Sequence, residues 1–335
     1  MAQRQAVLAD YKENTMIFKK TLAGLTILLT LTTSVFAKAK KTDKATGKLK
    51  VVTTIFPEYD WTREILGDNA KNVELTLLLG NGVDLHSYQP SIQDIAKIST
   101  ADIFIYVGGE SDGWVADALK NAKNKNMKVI NLLETLGDKV KAEEVKEGMQ
   151  AEEEEEVEYD EHVWLSLRNA KILSEEICSA LSEKDTANAA AYKANLASYT
   201  ARLDALDAKY AAAVKAGSKK TILFGDRFPF RYLVDDYNLD YYAAFVGCSA
   251  ETEASFETVI FLSKKVDELG LNSVLKIESG DGKIARTIIQ NSKNKNAKVL
   301  TMDSIQSTTA KQAAAGVTYL KIMESNLDVL TEALK

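Results

Sequence analysis

Histidine occurs only twice in the 335 residues, at His86 and His162. His86 stands in "GNGVDLHSYQPSIQDIAKI", a glycine-punctuated turn ahead of a helical pattern. His162 stands in "EYDEHVWLSLRNAKI", directly behind a dense acidic run and again just ahead of a helix. A neutral imidazole is a good ligand for a divalent transition metal. A lone histidine is more often structural than ligating. Two in comparable loops of a chain otherwise without histidine raise the question of whether they meet at one ion.

Other side chains bear on that chemistry. The cysteines, Cys178 and Cys248, can form one disulfide in an exported protein or stay as two buried thiols. Their wide spacing does not suggest a thiolate metal site. The acidic stretch over residues 143–161 has no core-facing period, so it reads as a solvated loop. Its carboxylates raise the local concentration of divalent cations close to His162.

The elements that must position these residues follow from the hydrophobic pattern. "LKVVTTIF", "VELTLLL", "DIFIYVG" and "KVINLL" read as buried strands, with helical stretches such as "YDWTREILG" and "SIQDIAKIS" between them. Ser91 is placed to cap the second of these helices. "KTILFG", "DYYAAF", "SVLKIES" and "KVLTMD" repeat the theme in the second half. Such alternation implies parallel sheets covered on both faces. The class is therefore α/β, with two parallel-sheet lobes over residues 49–184 and 218–335. Between them, residues 185–217 carry Tyr192, Leu196, Tyr199, Leu203, Leu206 and Tyr210 at helical spacing. About 30 helical residues span roughly 45 Å, enough for one stiff linking helix. A cleft between such lobes is the default ligand site, and loops at the carboxyl ends of strands line it.

Composition limits the partners. Charged residues make up 27 %, hydrophobic ones 46 %, and the net charge is −6, which excludes the clustered basic surface that nucleic acid needs. Residues 16–37, "MIFKKTLAGLTILLTLTTSVFA", have the basic start, apolar centre and small-residue end of a signal peptide. The apolar centre, about 13 residues, is short for a bilayer span. Met16 then reads as the start, residues 1–15 as an upstream extension, and residues 38–48 as a basic tether. With no cysteine near Ala37, a lipid-anchor cysteine is not expected there. The location is extracytoplasmic, periplasmic or at the cell surface.

"GNGVDLHSYQPSIQDIAKISTADIFIYVGG" and "YDEHVWLSLRNAKILSEEI" together resemble the two metal-ligand regions of the zinc- and manganese-binding solute-binding proteins of ABC importers. The resemblance extends over residues 48–335 and includes "CSAETEAS", similar to a Glu-Pro-Ser region of that family. It implies two four-stranded lobes joined by one long helix, with the metal held between them by four ligands. His86 and His162 would be the first pair, given by the N-terminal lobe. The third position falls in "LFGDRFPFRYLVDDY", where zinc members carry His-Asp and manganese members carry Glu; this chain has Gly225 there, followed by Asp226. The fourth, a family Asp, matches Asp303 in "LTMDS". Water, Asp226 or Glu278 in "LKIESGDG" would complete the set.

The expected function is capture of Zn²⁺, or alternatively Mn²⁺, by a monomer that delivers it to an ABC permease and its ATPase, with no catalysis and no nucleic acid. The alternatives are an extracytoplasmic zinc hydrolase using an open coordination position, and a cell-adhesion scaffold with a decayed site. Metal affinity should fall as pH drops through about 6.5, because imidazole must be deprotonated to bind.

Overall fold

Strands and helices alternate from Leu49 to Ala333 in the computed structural model, which describes residues 47–150, 158–249 and 253–335. The signal segment, most of the basic tether, the centre of the acidic run and residues 250–252 lie outside the described residues.

Among the described residues, eight strands form two four-stranded parallel sheets. The first contains β1 (Leu49–Thr53), β2 (Val73–Leu77), β3 (Ile103–Tyr106) and β4 (Lys128–Asn131), in the order β2-β1-β3-β4. The second contains β5 (Thr221–Phe228), β6 (Asp240–Val246), β7 (Ser273–Ile277) and β8 (Lys298–Met302), in the matching order β6-β5-β7-β8. Each of these strands begins within a residue or two of its expected start. The signal was strong because the central strands are buried on both faces and therefore nearly continuously apolar, as Ile103, Phe104 and Ile105 are.

Helices cover the faces, and their starts follow from local chemistry. Ser91 caps Ile92–Ser99 as a reciprocal box: its hydroxyl accepts from Asp94 N, and the Asp94 carboxylate accepts from Ser91 N. The long helix Ala189–Ala216 runs 28 residues, about 42 Å at 1.5 Å each. It buries Tyr192, Tyr199, Leu203, Leu206, Tyr210 and Val214 along one stripe. It starts a few residues after the expected 185: Asn188 occupies the cap position, while the Asp185 carboxylate accepts from Asn188 Nδ2 and Tyr192 Oη.

One buried cluster runs through both sheets and the long helix, from Val51 and Trp61 to Tyr210, Phe228 and Met323. Polar contacts reinforce this continuity. Tyr319 Oη donates to the Trp164 carbonyl at 2.6 Å, and Tyr319 N to Asp60 Oδ2 at 2.7 Å. Trp164 Nε1 donates to the Ser304 carbonyl at 2.9 Å. Buried bonds of this kind are costly to break, so the two sheets are held in one arrangement.

Candidate metal site

Asp303, Glu278 and Asp226 sit at or near strand ends, where an open parallel sheet places its ligands, while His86 and His162 lie in the longer connections that follow β2 and β4. His86 lies in the short helical turn Leu85–Ser87 after β2. Asp84 sets that turn by accepting from His86 N at 3.1 Å. Asp84 is itself gripped by Arg227 Nη2 at 2.7 Å, a link from the first half of the chain to the second. His162 precedes the turn Val163–Leu165 and is fully buried.

The two histidines meet. Their Nε2 atoms lie 3.2 Å apart, and the opposite ring nitrogens are occupied. His162 Nδ1 is 3.0 Å from Asp160 Oδ1, and His86 Nδ1 is 2.8 Å from Ser111 Oγ. A carboxylate beside Nδ1 accepts a hydrogen bond from Nδ1–H, which fixes that tautomer and leaves the Nε2 lone pair bare. Where Ser111 Oγ likewise accepts from His86 Nδ1–H, two bare lone pairs face each other at 3.2 Å and repel unless a proton or a cation lies between them. Tetrahedral zinc with Zn–N bonds of 2.0–2.1 Å sets its nitrogens roughly 3.3 Å apart, close to the separation observed.

Charge around the pair agrees. Burial, then the neighbouring His162, pulls the His86 pKa down to about 3, so this imidazole stays neutral. Burial also opposes charge on His162, but the carboxylates of Asp160, Glu161 and Glu143 outweigh it and raise its pKa. Glu161 Oε1 accepts from Ser111 N at 2.9 Å. Its other oxygen, buried and without a hydrogen-bond partner, lies 3.7 Å from His86 Nδ1. A buried carboxylate oxygen without a partner is costly, and a nearby cation relieves the cost.

Among the described residues the third donor in this group is Cys248: one ligand atom from each of His86, His162 and Cys248 lies within 4.8 Å of the others. Both cysteines are free, so the disulfide alternative does not hold. The wide cysteine spacing gave no reason to expect a thiol beside the histidines, yet Cys248 lies there, and one thiol can join two imidazoles without a second cysteine nearby. Cys248 follows β6 in "FVGCS", and its backbone N donates to Glu143 Oε1 at 2.9 Å. Gly247 allows the approach: a Cβ there would lie 3.0 Å from His162 Cε1 and 3.0 Å from the Phe228 carbonyl. Burial and the carboxylates of Glu143, Asp160 and Glu161 push the thiol pKa well up. A glycine-cysteine pair directly after a buried strand was the available sequence signal, and it is a weak one.

The three carboxylates expected to complete the set are not in this group. Asp226 Oδ1 accepts from Arg227 N and Oδ2 from Ile277 N, and its side chain lines a different cleft with Asp84, Ser87, Arg227 and Gly280. Glu278 accepts from Ser304 N at 2.7 Å, Ser304 Oγ at 2.9 Å and Ser307 Oγ at 2.9 Å. Asp303 Oδ1 accepts from Ile305 N at 2.7 Å, and Glu278 nearby raises its pKa, after burial, to about 6. Both organise the turn after β8. Gly225 is closed to any side chain, since a Cβ would lie 2.5 Å from Ala285 Cα.

The acidic stretch departs from a freely solvated loop at Glu143, Glu144 and Gln150, although Val145 and Tyr159 are exposed as expected. Glu143 holds Cys248, Glu144 accepts from Tyr241 Oη at 3.1 Å, and Gln150 N donates to the Ala244 carbonyl at 2.9 Å. These bonds lay residues 143–150 along β6 and beside the histidines; the acidic centre lies outside the described residues.

Comparison with known proteins follows this geometry. The family described as "ZnuA: Zinc-uptake complex component A periplasmic" matches residues 51–333. The zinc-binding protein AdcA of Streptococcus pyogenes serotype M6 is 30 % identical over 298 residues, 85 % of this chain and 56 % of that protein. The chain thus spans little more than half the length of that relative. The high-affinity zinc uptake system protein ZnuA of Bacillus subtilis is 28 % identical over 300 residues, 87 % of this chain and 89 % of the relative. The crystal structure of the Zn(II)-bound ZnuA-like domain of Streptococcus pneumoniae AdcA superposes with a TM-score of 0.67 at 29 % identity, covering 86 % of this chain and 99 % of that one. With its paired four-stranded sheets, its long helix and its facing histidines, the chain belongs to the ZnuA family of metal-binding solute-binding proteins of ABC importers.

Proposed function

We propose that this protein is a carrier rather than an enzyme: it captures a zinc ion outside the cytoplasm and, as a monomer, delivers it to an ABC permease and its ATPase. The observation that carries the reading is the 3.2 Å approach of two imidazole Nε2 atoms, each ring oriented by a partner on its other nitrogen. That is the arrangement in which second-shell groups fix the tautomer and the aim of a metal ligand. Enclosure favours carriage over catalysis, since the His86 and Glu161 side chains are only 9 % and 2 % exposed and little surface is left for a substrate beyond the ion. Names of the relatives, zinc-binding and zinc-uptake proteins, support zinc over manganese, and the family's periplasmic description joins the signal-like segment 16–37 in supporting export.

The lobes would be residues 49–184 and 218–335, with 185–217 as the strut between them. A continuous core and one long helix support small adjustments on capture rather than a wide swing. The test is zinc uptake at limiting zinc by cells that depend on this chain. Uptake should be restored by the intact protein and lost with His86→Ala plus His162→Ala. Equal uptake with both forms would refute the reading.

A further inference from the structure

We infer that Cys248 supplies the third ligand of the captured ion as a thiolate, giving a two-histidine, one-cysteine donor set that selects zinc over manganese. The inference rests on metal capture at the histidine pair and names what completes it. Three independent features place the thiol there. Its donor atom lies within 4.8 Å of those of both imidazoles. The loop that carries it is seated on the His162 ring through Gly247 and fastened by the Cys248 N to Glu143 Oε1 bond. The alternative third position on β5 is closed, because Gly225 faces the backbone of Ala285 with no room for a Cβ. Asp226, next along, has both oxygens committed to backbone N–H groups.

The donor chemistry decides the cargo. Thiolate with two imidazoles suits zinc, whereas manganese prefers carboxylate, carbonyl and water at higher coordination. Binding replaces the thiol proton and forms a metal–sulfur bond; the proton leaves to solvent and no redox partner is needed. Three protein donors leave tetrahedral zinc one position, open to water or a carboxylate.

Cobalt(II) reports this directly, because thiolate coordination adds a sulfur-to-metal charge-transfer band in the near ultraviolet that imidazole and carboxylate ligands lack. The metal-stripped protein, titrated with Co²⁺, should develop that band with one equivalent, together with the visible bands of a tetrahedral ion. Cys178→Ser should leave both unchanged. Cys248→Ser should keep weak cobalt binding through the histidines, lose the charge-transfer band, and bind zinc at least about a hundredfold less tightly, since even second-shell losses cost ten- to a hundredfold. Tight cobalt binding by the unmodified protein without the band would overturn the inference whatever the variants do, and capture by the histidines would still stand. No cobalt or zinc binding at all would overturn capture and this inference together.

Discussion

The two sheets have the same strand order, yet their carboxyl ends do different work. In the first half, the loops after β2, β3 and β4 bring His86, Ser111, Asp160, Glu161 and His162 to one point, where Ser111 and Asp160 each meet a ring nitrogen and Ser111 N holds Glu161. In the second half, the acidic side chains within β5 and after β7 and β8 are spent largely on backbone: Asp226 on Ile277, Glu278 on Ser304, Asp303 on Ile305. What the second half offers the ion is Cys248 after β6. Identical topology therefore does not assign identical roles. A carboxylate becomes a ligand only where no nearby N–H claims its lone pairs.

The comparison can be broken from either side. The largest effect belongs to the first half: His86→Ala with His162→Ala should abolish tight one-to-one zinc binding in calorimetry, because both nitrogen donors go. The next comes from Asp160→Asn, which removes the carboxylate that aims His162. Zinc affinity should drop by about ten- to a hundredfold while the thermal transition stays close to that of the parent.

The same variant separates orientation from proton competition. His162 and, further up, the Cys248 thiol both have raised pKa values, so in the parent the proton competes with zinc at both donors already above the ordinary imidazole value, and affinity should decline as pH falls through that higher range. The expectation from sequence alone, a decline through about 6.5, thus moves upward. Asp160→Asn should shift the midpoint down, as read by competition with a chromophoric chelator at several pH values. An unmoved midpoint would mean that Asp160 does not govern His162.

On the other side of the comparison, Glu278→Gln should leave zinc affinity within a few-fold. It should still destabilise the protein by about 1–3 kcal/mol, because a half-buried charged acceptor of three hydrogen bonds is weakened. Asp303→Asn should behave alike; a loss of affinity as large as that from Cys248→Ser would instead bring Asp303 into the coordination shell. The smallest effect is expected from glutamine in place of Glu152–Glu156: capture slows modestly at low salt, through weaker attraction of cations, while equilibrium affinity holds.

How far the sequence disclosed this follows from the same physics. Strand positions were legible because parallel strands buried on both faces leave long apolar runs, and the linking helix because its tyrosines and leucines repeat at helical spacing. His86 and His162 were legible because histidine is rare here and its contexts matched. Cys248 was not, since a single cysteine carries no spacing signal and its proximity depends on a loop closing over Gly247. Asp226, Glu278 and Asp303 looked available because a carboxylate in sequence does not reveal which backbone N–H groups it will meet. The docking of residues 143–150 was hidden for a related reason. Its bonds to β6 and to Ser255 are made across the fold and leave no periodic pattern.

One coordination shell is decisive, and X-ray absorption at the zinc edge of the protein loaded with one equivalent reads it most directly. The prediction is one sulfur at about 2.3 Å with nitrogen or oxygen neighbours at about 2.0–2.2 Å, including the outer-shell scattering of two imidazole rings. A shell of oxygen and nitrogen alone, or one without imidazole scattering, would contradict it.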